Sequence, residues 1–217
     1  MSLIQYITHI DTYLLTFVTT YGNWAYFVLF AIIFCETGLV VMPFLPGDSL
    51  LFAAGSIAAN ASQSLNIHFL FVSLVLASVL GNKVNFLVGK LIGPRVFVLQ
   101  NSWLLNKKHL ERAHQFYEKH GGKTIIFARF IPIIRTFVPF VAGVANMQLT
   151  KFSFYNILSG FVWIGSLLGA GYFFGSLAFI QQHFSLVIYS IILVSLLPPI
   201  GNFIYHRFYR AQSKTLP

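Results

Sequence analysis

Phe34-Cys35-Glu36-Thr37-Gly38-Leu39-Val40-Val41-Met42-Pro43-Phe44-Leu45-Pro46-Gly47-Asp48-Ser49-Leu50-Leu51 places two acids, two prolines and two glycines inside an otherwise apolar stretch. The apolar run 24–42 leads into it, and a shorter run, 50–59, leads out. Proline lacks an N–H and its ring obstructs the preceding turn. With Pro43, Pro46 and Gly47 as breakers, 24–60 therefore reads as a helix, an unwound corner and a short return helix. Non-helical backbone at membrane depth is tolerated only when buried in protein or lining a wet cavity.

The surrounding chain fits that solvent. Of 217 residues, 57% are hydrophobic and 9% are charged, whereas a soluble domain carries about 25% charged residues. Too few polar atoms remain to cover a water-facing surface, so the expectation is one all-α polytopic membrane domain over 1–217. Residues 1–21 lack the basic start of a signal peptide and carry Asp11, which suits a retained amphipathic or interfacial helix. The run 67–92 is long enough to span. Within the loop 94–123, the stretch 107–120 looks helical and basic, with Leu110, Ala113 and Tyr117 on one face. Two further spans, 152–177 and 184–206, precede a tail, 207–217; Pro198-Pro199 predicts a kink in the second.

Charge orients these elements. Eight of the 14 Lys and Arg residues fall between Lys83 and Lys123, and Arg207, Arg210 and Lys214 close the chain. Basic loops beside apolar spans mark the cytoplasmic side, so the net charge of +9 points to lipid headgroups and not to nucleic acid. The C-terminus is expected to be cytoplasmic, with 60–66 and 181–183 facing outward.

The first half has an echo. Residues 124–150 again show an apolar arm, a break around Pro132 and Pro139, and a short arm ending at Val141-Ala142-Gly143, with Pro132, Pro139 and Gly143 as its expected breakers. Pro46-Gly47-Asp48-Ser49-Leu50-Leu51-Phe52-Ala53-Ala54-Gly55 corresponds to Arg135-Thr136-Phe137-Val138-Pro139-Phe140-Val141-Ala142-Gly143. A long span with a glycine near its end follows each, Gly89 and Gly175. The charge rule puts the first hairpin outside and the second inside, which predicts two re-entrant hairpins in an inverted repeat.

Four charges stand at membrane depth: Glu36 and Asp48 in the first broken segment, Arg129 and Arg135 in the second. Each costs about 2.5–3.5 kcal/mol at a helix centre on insertion scales. They must pair, face water or bind something. A salt bridge that merely locks the hairpins is the plainest role. The functional alternative follows from chemistry: an arginine fork matches phosphate oxygens, and a carboxylate can carry a proton. Arg129 and Arg135 are thus candidates for binding a lipid phosphate, and Glu36 and Asp48 for proton coupling or gating. His109, His114 and His120 lack the spacing of a metal site. Cys35 is single, no nucleophile constellation appears, and neither a cofactor nor an enzymatic reaction is expected. Gly165 and Gly169 fit a small-xxx-small helix contact; a homodimer stays open.

The quoted stretch 34–51, together with Phe127-Ala128-Arg129-Phe130-Ile131-Pro132-Ile133-Ile134-Arg135-Thr136 and Val141-Ala142-Gly143, resembles the DedA family of bacterial inner-membrane proteins. Phe116-Tyr117-Glu118-Lys119-His120-Gly121-Gly122-Lys123-Thr124 extends the likeness over nearly the whole chain. The resemblance implies opposed re-entrant hairpins and lipid traffic: translocation of undecaprenyl phosphate or phosphatidylethanolamine, tied to the proton gradient. By motif position the family's required acids fall on Glu36 and Asp48, and its required arginines on Arg129 and Arg135. The chain departs from the family's Gly-Asp-x-x-x-Tyr-x-x-Gly-Arg pattern at Asn82, Phe86 and Lys90. A lipid translocase is therefore the leading expectation. A proton-coupled ion or small-molecule antiporter is the alternative, and a non-transporting envelope organiser comes third.

Overall fold

Among the described residues, apolar runs punctuated by proline and glycine become six helices: α1 Trp24–Gly38, α2 Gly47–Asn60, α3 Ile67–Val96, α4 Lys123–Ala128, α5 Pro132–Val144 and α6 Leu149–Phe174. The computed structural model describes residues 20–39, 47–60, 65–96 and 122–175, with 177, 180, 183, 186, 187, 190 and 191. The expectations for 1–19, for the corner at Pro43 and Pro46, for the basic helix 107–120, for most of 184–206 and for the tail lie outside those residues.

Local chemistry sets several helix ends. The Asn66 side chain accepts from the backbone N–H groups of His68 and Phe69 at 2.9 and 3.1 Å, capping α3. At the end of α5, Asn146 adopts φ 53°, a left-handed conformation that asparagine tolerates. The N–H groups of Asn146 and Met147 then return to the Gly143 and Ala142 carbonyls at 2.9 and 3.0 Å. That Schellman turn redirects the chain into α6, which begins at Leu149, three residues before the expected start, and ends at Phe174.

Two of the helices, over Ile67–Ile92 and Leu149–Phe174, are long and apolar enough to cross a membrane, at 26 residues each. At 1.5 Å per residue each reaches about 39 Å, more than the hydrocarbon core of about 30 Å. Trp24, Phe27, Phe69, Leu91, Phe127, Phe154 and Phe173 are all more than half exposed. A protein in water seldom presents so many large apolar side chains together, whereas lipid accepts them.

The helices do not pack as two consecutive halves. The second arm of each broken segment lies along the long helix of the other half: α2 on α6 and α5 on α3. Glycines permit both crossings. A Cβ on Gly171 would run into the Phe52 carbonyl, and one on Gly55 into the Leu168 carbonyl and the Tyr172 N–H. Likewise, a Cβ on Gly89 would meet the Phe140 carbonyl, and one on Gly143 the Phe86 carbonyl and the Lys90 N–H. Phe52 and Gly55 thus stand to Leu168, Gly171 and Tyr172 as Phe140 and Gly143 stand to Phe86, Gly89 and Lys90. Such close backbone approaches supply the van der Waals contact that holds helices together in lipid.

Several expectations need correction here. Pro139 and Gly143 are not breakers; both lie inside the continuous helix α5. The interruption falls at Arg129–Ile131, just before Pro132 opens α5. Proline at 139 removes only one helical donor, and neighbouring helices in a membrane bundle support the turn around it. The counterpart of Gly89 is Gly171, not Gly175. Gly165 and Gly169 make no tight crossing among the described residues: a Cβ at Gly169 would meet nothing within 4 Å, and one at Gly165 only the Phe71 ring at 3.6 Å.

Two apolar cores among the described residues flank the charged positions, and a smaller cluster lies at Phe52 and Ala53. One gathers Ala25, Leu29 and Ile33 of α1, Leu51 and Ala54 of α2, Leu70 and Leu74 of α3, and Ile164 and Leu168 of α6. The other joins Phe86, Ile125, Ala128, Val138, Ala142 and Phe152, with the Phe86 and Phe152 rings stacked at 4.3 Å. Between them runs a polar layer: Ser78, Asn82 and Asn85 of α3, and Asn156 and Ser159 of α6, all buried.

Candidate functional site

Glu36 lies in the last turn of α1 and is fully buried. Asp48 is in the first turn of α2, Arg135 in the first turn of α5, and Arg129 caps the C-terminus of α4. The fold brings three of the four into one ion-paired group. Arg135 Nη2 donates to Glu36 Oε1, and Arg135 Nη1 donates to Asp48 Oδ1 at 2.8 Å. The Gly47 N–H, first in α2, also donates to Glu36 Oε1, at 3.3 Å. Glu36 therefore sits against a helix N-terminus, where partial positive charge favours an anion. A side chain at position 47 would overlap the Glu36 carboxylate, so glycine is what lets the acid reach that helix end.

Arg129 is held differently. Its Nη1 donates to Ser159 Oγ at 2.7 Å and to the Asn156 carbonyl at 3.1 Å, and its Nη2 to the Ser78 carbonyl at 3.1 Å. All three acceptors are neutral. Its position past the end of α4 suits a cation, but no carboxylate contacts it among the described residues. Both guanidinium groups lie by one aromatic ring: the Arg129 and Arg135 Cζ atoms are 5.4 and 5.1 Å from the centre of Trp163. The indole Nε1 donates to Asp48 Oδ1 at 3.0 Å.

The layer continues through amides. Asn85 donates to the Thr37 and Thr136 carbonyls at 3.2 and 2.8 Å, tying the backbone beside Glu36 to the backbone beside Arg135. Asn82 donates to Asn156 Oδ1 at 3.0 Å, and Asn156 to the Val79 carbonyl at 2.9 Å. Of the residues that depart from the family pattern, Asn82 joins this network, Phe86 fills the second core and Lys90 is exposed. Among the described residues, Glu36 Oε2, Arg129 Nε and Arg135 Nε are buried without a hydrogen-bond partner. Such atoms are costly in a low-dielectric interior.

Sequence reading singled out the four charges but not Ser78, Asn85, Asn156, Ser159 or Trp163. The signal was available. Ser78, Asn82 and Asn85 recur at helical spacing within one apolar span, and Asn156, Ser159 and Trp163 do so within another, so each helix carries one polar stripe.

A helical bundle with an apolar outer surface and a layer of paired charges between two apolar cores defines a polytopic membrane protein built around a polar centre. The chain belongs to the DedA family: the VTT domain matches residues 45–173. It is 48% identical over 205 residues to Protein DedA of Escherichia coli (strain K12), covering 94% of each chain. It is 38% identical over 152 residues to Inner membrane protein YqjA of the same strain, covering 69% of this chain and 67% of that one. No solved structure matches. With such relatives, the chain is a membrane protein.

Proposed function

We propose that this protein is a lipid translocase of the bacterial inner membrane and not an enzyme. It carries an anionic or zwitterionic phospholipid, such as undecaprenyl phosphate or phosphatidylethanolamine, between leaflets with proton coupling. The observation that carries the reading is the Glu36–Arg135–Asp48 group beside a second arginine, Arg129, that no carboxylate contacts among the described residues. Two carboxylates and two guanidinium groups are formally neutral together, yet the pairing is uneven. Arg135 is engaged by both acids and Arg129 by neither. A phosphate drawn to Arg129 competes with Glu36 and Asp48 for Arg135, and a proton on either acid removes that competitor. Anion binding and proton uptake therefore favour each other, which is the condition for coupling. The sign follows: lowering the pH strengthens binding of the phosphate.

The reciprocal glycine crossings support an inverted repeat. Each half contributes one returning hairpin and one full span, an odd number of crossings, so the second half enters from the side opposite the first. In this arrangement α1–α2 re-enters from outside and α4–α5 from the cytoplasm, with the C-terminus cytoplasmic. Broken-helix ends then meet near the midplane, where Glu36, Asp48, Arg129 and Arg135 serve cargo from either leaflet.

The test is movement of fluorescent undecaprenyl phosphate and phosphatidylethanolamine in proteoliposomes, with the natural sequence, Arg135→Lys and Glu36→Gln. The expected result is that one lipid moves and both variants lose at least about 90% of the rate, a barrier increase of the size expected when a charged hydrogen bond is lost. If neither lipid moves with folded, inserted protein, direct lipid transport is rejected, and ion flux through the same vesicles becomes the reading to test.

A further inference from the structure

Trp163 is 1% exposed and sits on α6, where side chains from α2, α5 and the end of α4 converge. One oxygen, Asp48 Oδ1, accepts from both Arg135 Nη1 at 2.8 Å and Trp163 Nε1 at 3.0 Å. When Arg135 is drawn away, Asp48 need not follow, because the indole still holds it. The same ring gives both cations an electron-rich surface without giving either a counter-charge. One turn before it on α6 lies Gly160, where a Cβ would come within 3.2 Å of Arg129 Nη1. The Arg129 acceptors Ser159 and Asn156 precede it on the same helix.

We propose that Trp163 is a positioning residue: its N–H retains Asp48 while its ring supports Arg129 and Arg135, so that cargo can take an arginine without dragging the acid along. The inference rests on the translocase reading for its consequence, but its geometry can be tested apart from it.

Two substitutions separate the indole's parts. Trp163→Phe keeps a ring and removes the N–H; Trp163→Leu removes both. Initial translocation rates are measured against the mole fraction of the lipid that the natural sequence moves, with unfolding midpoint and elution profile checking the fold. For Trp163→Phe we expect a maximal rate about tenfold lower, the size of a lost hydrogen bond to a charged group, with half-saturation within about twofold. For Trp163→Leu the half-saturating fraction should also rise by about tenfold, as the cation support is lost. A merely structural role lowers the amount of active protein and leaves half-saturation unmoved in both; that result, or natural kinetics in Trp163→Leu, overturns the proposal.

If the natural sequence moves no lipid, the translocase reading fails and a second measurement decides. In a chain whose only tryptophan is Trp163 (Trp24→Phe, Trp103→Phe), the fluorescence emission maximum is compared among variants. Asp48→Ala and Arg135→Ala should each shift it, and Lys151→Ala should not. No shift with Asp48→Ala and Arg135→Ala removes the inferred contacts.

Discussion

Arg135 answers two carboxylates, and this makes it the residue whose loss leaves most behind. Breaking a buried ion pair from one side costs about 3–5 kcal/mol, because the remaining charge is left uncompensated. Arg135→Gln takes from Glu36 and Asp48 the cation they share, whereas Glu36→Gln leaves Arg135 still paired with Asp48. In detergent, Arg135→Gln should therefore lower the unfolding midpoint more than Glu36→Gln. The double variant should cost less than the sum of the two. A strictly additive cycle would mean that the pair contributes nothing. The acids and arginines were legible in the sequence because ionisable groups in apolar spans are rare enough to demand partners. Which arginine would take the acids was not legible: Pro43, Pro46 and Pro132 interrupt both segments, so no helical wheel carries Glu36 to Arg135. Trp163 and Asn85 escaped for another reason. An aromatic or an amide in a span is ordinary until a neighbour 115 or 48 positions away gives it a bond.

At the scale of elements, the break in 24–60 and the two long spans could be read from proline, glycine and apolar length. Which helix lies beside which could not, since hydropathy gives an extent but not a partner. The glycines hold that information only once the contacts are known. Among the described residues, Gly165 and Gly169 match a familiar spacing yet approach no backbone, while Gly171 sits on the Phe52 carbonyl. Gly171→Ala should destabilise the α2–α6 crossing by about 1–3 kcal/mol, the usual cost of overpacking. Gly169→Ala should stay within about 0.5 kcal/mol of the natural sequence. Chemical unfolding in mixed micelles measures both, and equal effects would refute the crossing.

At the scale of the whole molecule, orientation is expected to follow from where the charges lie. With Cys35 replaced by serine, single cysteines at Asn66, Lys90 and Lys151 can be labelled by a membrane-impermeant maleimide in intact spheroplasts. Asn66 should react from outside, and Lys90 and Lys151 only after the membrane is opened. Labelling of Lys151 from outside would contradict the opposed entry of the two hairpins. The packing of α2 and α5, each on the other half's long helix, also orders events in time. Glu36 and Asp48 precede Arg135 by 99 and 87 residues. At synthesis rates of about 5–20 residues per second, the acids are made roughly 4–20 s before the cation that neutralises them. Throughout that interval α1 and α2 carry two carboxylates with no Arg135 and no α6 to lie against. Newborn chains are therefore expected to wait half-made, kept near water or held by the insertion machinery, with the first half committed to the bilayer only when the second arrives.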